Sequence, residues 1–315
     1  MAELAPPRPS RRKRASGGRA PRRLLWAGLS APAMLWLLVL FVVPFYVALA
    51  VAGGQINQII GTPLPAWNPL DWSGAAYRAV FHEFSGTGAF LGPVVLRTLL
   101  YVGIAALLSL LIGYPAAYFV SRFAGKQKGI LLGLLLAPFW VSYMMRMLAW
   151  IDLLQTDGYV NRVLVDLHLV SHPVVWLGGK ATTVILGLVY GYIPYLILVL
   201  YAGLDRIDGA LIEAGRDLGL GRVRTFMRVT LPLSRQAILT GLLVTVLPML
   251  GDYFTNQMLS GATNTAMIGN TIDTQLSSTT LQTQGASLSL MMLGVLVIPM
   301  LYYVIATNRA SMANA

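Results

Sequence analysis

Apolar residues in this chain come in long blocks, and polar residues cluster in short stretches between them. A helix needs about 20 predominantly apolar residues to cross the hydrocarbon core of a bilayer. Six blocks reach that length, at about 24–52, 94–120, 130–154, 182–204, 236–259 and 286–307. The first contains LWLLVLFVVPFYVALAVA and the last LMMLGVLVIPMLYYVIA. Hydrocarbon offers no water to backbone N–H and C=O groups, so such blocks must close their hydrogen bonds internally, as helix. The pattern predicts an all-α polytopic membrane protein: six transmembrane helices forming one domain over residues 24–307. Residues 1–23 read as a disordered basic tail, 205–235 as a polar inner loop and 308–315 as a short C-terminal tail. Gly53 to Pro93 is an outer loop rich in Pro, Trp and Gly, long enough for a short surface helix or two. No internal repeat and no soluble domain is visible.

Composition agrees with the pattern. The chain is 56% hydrophobic and 11% charged, too few polar residues to cover a soluble domain of 315 residues. A net charge of +11 raises the question of nucleic acid, but the positions of the charges answer it. With the N-terminus inside, the tail, the second-to-third loop, the fourth-to-fifth loop and the C-terminus hold 18 of the 23 lysines and arginines. The excess of basic residues marks the cytoplasmic side, so both termini are expected there and no nucleic-acid partner is expected. The tail is read as a solvated segment that fixes topology, in preference to one that touches anionic lipid headgroups. The first block is too long for a cleaved signal peptide and lacks a small-x-small cleavage site. Cysteine is absent, which excludes disulfides, thiolate metal sites and a cysteine nucleophile.

Other chemistries find little support. WLGGKAT (Trp176–Thr182) is the nearest approach to a phosphate-binding loop, but it lacks the upstream glycine and has Ala181 where a hydroxyl is needed. His168 and His172 could share a helix face near Asp166, but Pro173 follows at once and no further ligand is evident, so no metal is expected. His82 stands alone, and no serine or histidine catalytic set is visible. An intramembrane hydrolase is thereby disfavoured. A stand-alone secondary carrier would normally show more spans or a two-half symmetry.

The inner loop carries the most information: EAGRDLGLGRVRTFMRVTLP, Glu213 to Pro232. Leu211, Ala214, Gly215 and Leu218 share a helix face at the i, i+3, i+4, i+7 spacing, and Gly219 and Gly221 make a turn. A second amphipathic piece sets Val223, Phe226, Met227 and Thr230 against Arg222, Arg224 and Arg228, and Pro232 is expected to stop or redirect it. Pattern alone leaves open whether this helical hairpin lies on lipid or docks on a protein partner.

The spacing E-A-G-x-x-x-G, nine residues, then V-x-L-P resembles the EAA loop of binding-protein-dependent ABC importer permeases. Glu213, Ala214, Gly219, Leu231 and Pro232 match that pattern; Gly215 replaces its second alanine and Val229 its isoleucine. SLLIGYPAAY (Ser109–Tyr118), APFWVSYMMRMLAWIDLL (Ala137–Leu154), LVYGYIPYLILVLYAGLDRID (Leu188–Asp208) and LGDYFTNQMLSG (Leu250–Gly261) resemble the spermidine/putrescine branch, first-permease type. The resemblance implies the type I ABC importer permease fold, with Glu213, Ala214, Gly215, Gly219, Leu231 and Pro232 coupling to a partner ATPase dimer. It also implies a second homologous permease and an extracytoplasmic solute-binding protein, in a bacterial inner membrane. No cofactor is then expected on this chain; ATP and magnesium belong to the ATPase subunits.

Ionisable groups inside spans are costly, so they are the candidate pathway residues. Asp252, flanked by Tyr253 and Phe254, could attract and pass an ammonium; Asp152 is the second candidate. Arg146 could pair with Asp152 or Asp252, or face the substrate. Tyr192, with Tyr190 and Tyr195 near Pro194, could line a channel or pack between helices. Gly187 and Gly191 form a GxxxG suited to close helix packing.

Overall fold

The structure, a computed structural model, describes residues 20–57, 59, 61–85 and 89–313, with side chains described from 28 to 305. The expected basic tail lies outside the described residues as far as position 19, as do Asn314 and Ala315. In chain order the elements are α1 (Ala20–Ala52), a two-stranded antiparallel pair β1 (Gln55–Ile56) and β2 (Pro63–Leu64), α2 (Ala75–Ser85), α3 (Leu91–Arg122), α4 (Lys128–Leu136) and α5 (Tyr143–Leu154). There follow α6 (Tyr159–Asp166), α7 (Ala181–Asp205), α8 (Gly209–Asp217), α9 (Arg222–Thr225), α10 (Leu231–Leu250), α11 (Phe254–Leu259), α12 (Ile268–Ser277) and α13 (Gln282–Ala313). Residues 20–23 and 308–313, expected as tails, are therefore helical.

The chain divides into two compact units, to Ala48 and from Leu49. In the first, the apolar part of α1 buries almost nothing of its own, as a helix meant for lipid can. The second is built on α7, the most buried long helix, which packs against both α3 and α10. One core cluster joins Val102 and Ala105 to Val184, Leu188, Met249 and Met267. Another joins Tyr114 and Ala117 to Leu196, Ile197, Leu200 and Leu204. The α3 face that meets them is made of small residues, Thr98, Ala105, Ala106, Ser109 and Ala117, so the backbones can approach closely. A third cluster, Val80, Leu91, Val94, Ile268 and Leu288, ties α2, α3, α12 and α13 together.

Five helical segments among the described residues are long and apolar enough to span a membrane: 28–52, 91–122, 181–205, 222–250 and 282–305. A sixth exists only as a bent pair, Gly125–Trp140 and Tyr143–Asp166, which meet at 87°. The expected continuous third span, 130–154, is thus broken. Pro138 opens a tight turn over Ala137–Trp140, and Val141 and Ser142 are extended before α5 begins. The fifth span also differs from 236–259. Its helix runs from Arg222 to Leu250, and Gly251 to Tyr253 separate it from α11.

Candidate functional site

The hairpin is assembled from local hydrogen bonds. Asp208 caps α8 by accepting the Ala210 amide at 3.0 Å. At the other end Gly219 N–H donates to the Arg216 carbonyl and Leu220 N–H to the Gly215 carbonyl, the two bonds of a Schellman turn. Gly219 has φ +82°, which is why glycine stands there. Inward-facing residues of α8 are Ile212 and Gly215; Leu211, Glu213, Ala214 and Leu218 are exposed. The single apolar face expected is therefore split, with Gly215 against Leu220, Thr225 and Val229, and Leu211, Ala214 and Leu218 turned away. The second half also rotates from expectation: Thr225 and Thr230 are buried, while Val223 and Met227 are exposed beside Arg222, Arg224 and Arg228.

Pro232 does not stop this helix. A wide π turn at Phe226–Thr230 carries it into α10, and Leu231 N–H reaches the Phe226 carbonyl five residues back. The wider turn leaves room for the proline ring, whose absent N–H would otherwise interrupt the ladder. Phe226 meets Tyr114 and Tyr118 edge-on at 5.8 and 5.5 Å, and the Tyr114 and Ser234 hydroxyls are 2.7 Å apart. Arg122 donates to the Leu204 and Ile207 carbonyls, and Lys128 pairs with Asp205. The hairpin is thus joined to α3, and the end of α7 that leads into it is tied to α3 and to the first turn of α4.

A second group of candidate residues gathers at the helix breaks. Asp252 is buried, and its carboxylate accepts the Thr255 amide at 2.9 Å, the Thr255 hydroxyl and the Tyr192 hydroxyl at 3.2 Å. Two of these donors, the Thr255 amide and hydroxyl, lie in the first turn of α11, so the Asp252 carboxylate favours restarting a helix there. The Tyr143 and Thr255 hydroxyls are hydrogen-bonded, so Tyr143, Thr255, Asp252 and Tyr192 form one network. Room for it comes from the GxxxG of α7. A Cβ on Gly191 would stand 2.8 Å from the Tyr143 hydroxyl, and one on Gly187 would strike Thr255 and Leu259.

Arg146 pairs with neither Asp152 nor Asp252, contrary to one expectation: the only ion pair among the described residues is Lys128–Asp205. Its guanidinium is buried among rings instead, 4.9 Å from the centroid of Phe139, 5.1 Å from Tyr143 and 5.9 Å from Tyr190. Phe139 lies in the tight turn before the break in the third span and Arg146 in the first turn of the helix after it. Asp152 is exposed and accepts from the Gln155 side chain at 3.3 Å. Tyr253 is also exposed and lies apart from the Asp252 network, edge-on to Phe254. His168 has φ 56° beyond the end of α6, so it shares no helix face with His172.

Sequence reasoning missed three contributors. Thr255 and Tyr143 have ordinary local patterns, and only the breaks make them neighbours. Asn161, 1% exposed, donates to the Gln155, Thr156 and Val174 carbonyls and accepts the Val174 amide and the Trp176 indole N–H. One amide thereby ties together the loop after α5.

A helical chain with five spans and a bent sixth, presenting a helical hairpin between two of them, is a multi-pass membrane protein of permease type. The family model described as binding-protein-dependent transport system inner membrane component matches residues 8–311, and the chain belongs to that family. Over 177 residues it is 36% identical to the spermidine/putrescine transport system permease protein PotB of Escherichia coli (strain K12), covering 56% of this chain and 64% of that one. It is 37% identical over 177 residues to the same-named protein of Haemophilus influenzae, covering 56% and 61%. The matched stretch thus spans less than two thirds of the length of these relatives. A bacterial ABC transporter involved in the import of the acidic polysaccharide alginate shares the fold, with a TM-score of 0.66, 16% identity, and coverage of 92% of this chain and 96% of that chain.

Proposed function

We propose that this chain is a permease subunit of an ATP-driven importer, forming half of a pathway for a small solute delivered by a binding protein. The cargo is a polyamine such as spermidine or putrescine, or a similar small cation. The observation that carries the reading is the hairpin 208–232, whose motif residues build a hydrogen-bonded turn and leave Glu213, Ala214, Leu211 and Leu218 exposed among the described residues. A surface of that kind suits the groove of a separate ATPase, where ATP and magnesium would be held. Gly215, Gly219, Leu231 and Pro232 shape the hairpin, and Glu213 and Ala214 would touch the partner.

The termini and the hairpin face the cytoplasm, by the placement of basic residues. A second, similar permease completes the cavity, and a solute-binding protein docks on the outer loops. ATP binding draws the hairpins together and switches the opening. Asp252, Tyr192, Arg146, Asp152 and Tyr253 are the residues proposed along the pathway. Support for a cationic cargo comes from the PotB relatives and from a buried carboxylate beside aromatic rings.

Reconstitution tests this. The chain, co-expressed with its genomic neighbours and purified, should retain an ATPase, and Glu213→Ala should lose it without loss of membrane insertion. Asp252→Asn should lower polyamine uptake about tenfold, the loss expected when a contact to a charged group is removed. Sustained uptake by the lone chain without ATP would overturn the proposal.

A further inference from the structure

We propose that Phe139, Tyr143 and Tyr190 form a binding site for an ammonium group of the transported solute, occupied between transport events by the guanidinium of Arg146. The inference rests on the reading of the cargo as a cation and supplies the residues that would receive it. Arg146 is 9% exposed, and its Nε is enclosed without a hydrogen-bond partner. Among the described residues it has no carboxylate partner, and three ring faces stand at 4.9, 5.1 and 5.9 Å from the charge. The rings are well supplied with a cation, but the cation is poorly supplied with acceptors. That imbalance is what a replaceable occupant needs: a compact ammonium satisfies the rings equally and leaves no planar array of buried donors unpaired.

The surroundings fit exchange. A groove of about 320 Å³, lined by Arg146, Tyr190, Trp150 and apolar residues, opens onto the site. Arg146 lies in the first turn of α5, directly after the extended residues Val141 and Ser142, and its long side chain can swing into that groove. Tyr143, one wall of the site, bonds through its hydroxyl to Thr255 and thence to Asp252. An amine held by the rings would therefore sit two hydrogen bonds from a carboxylate, with the next amine of a polyamine able to reach it.

The test uses the full chain in lipid nanodiscs, with tetramethylammonium and putrescine as probes and calorimetric titration as the readout. Arg146→Ala and Arg146→Gln should each bind tetramethylammonium about tenfold more tightly than wild type, because the site is vacated. Arg146→Lys should stay near wild type, and adding Tyr190→Leu to either neutral variant should abolish the gain. No gain in a folded neutral variant, or a gain that survives Tyr190→Leu, overturns the proposal. Should neither neutral variant fold, Tyr190→Leu alone decides. It should weaken tetramethylammonium binding to the otherwise wild-type chain about fivefold, and unchanged affinity overturns the assignment. If tetramethylammonium behaves as expected and putrescine does not bind, the ring site stands and the polyamine reading falls. If putrescine uptake is demonstrated but removing Arg146 gains nothing, the ring site alone falls.

Discussion

Two glycines four residues apart can have opposite reasons to be glycine, and the hairpin shows it: Gly215 lies in helix beside Val229, whereas Gly219 holds φ +82° with open space where a Cβ would stand. Gly215→Ala restores the residue usual in the motif, and the new methyl would meet Val229, Thr225 and Leu220 at 3.3–3.7 Å. Its stability should change by less than about 1 kcal/mol, since helix propensity offsets the tight fit. Gly219→Ala meets no atom but forces a left-handed backbone, costing about 1–2 kcal/mol. Amide hydrogen exchange across 215–220 should accelerate about tenfold in the second variant and hardly at all in the first. Gly191→Ala would press on the Tyr143 ring and should lower thermal stability in detergent by about 1–3 kcal/mol. The motif spacing made Gly219 legible from sequence, because a glycine after an amphipathic stretch signals a helix end. The Tyr143–Thr255–Asp252 network was not legible, because it depends on two backbone breaks that bring distant residues together.

At the level of elements, apolar length located the spans, but length alone does not register where a helix changes direction. The third span contains Pro138, yet the prolines at 115, 194 and 299 stay within α3, α7 and α13. What differs at 138 is that the following Val141 and Ser142 are extended, so the break spans several residues and is not a simple kink. The fifth span starts early because a π turn absorbs Pro232, and it ends early because Asp252 draws the Thr255 amide into a new helix. The loop after α5 hangs on a single side chain. Asn161→Asp keeps the shape but removes both donors from three carbonyls, and should cost about 2–4 kcal/mol. Limited proteolysis between 155 and 180 should then outpace cleavage elsewhere.

For the whole molecule, α1 and α13 each expose apolar side chains along most of their described length. Lipid or a second subunit must cover them, because water would not. The proposed sidedness is unusually easy to test, since the chain has no cysteine of its own. In intact cells His172→Cys should react with a membrane-impermeant maleimide and Arg224→Cys should not, and in inverted vesicles the two should exchange behaviour. Reaction of both from one side would overturn the assignment of the hairpin to the cytoplasm.

The continuous helix from Arg222 to Leu250 has a mechanical consequence. Its 29 residues make a rod about 43 Å long, with the exposed hairpin at one end and the Asp252 break at the other. Tilting such a rod by about 5° moves its far tip by about 4 Å, more than the length of a hydrogen bond.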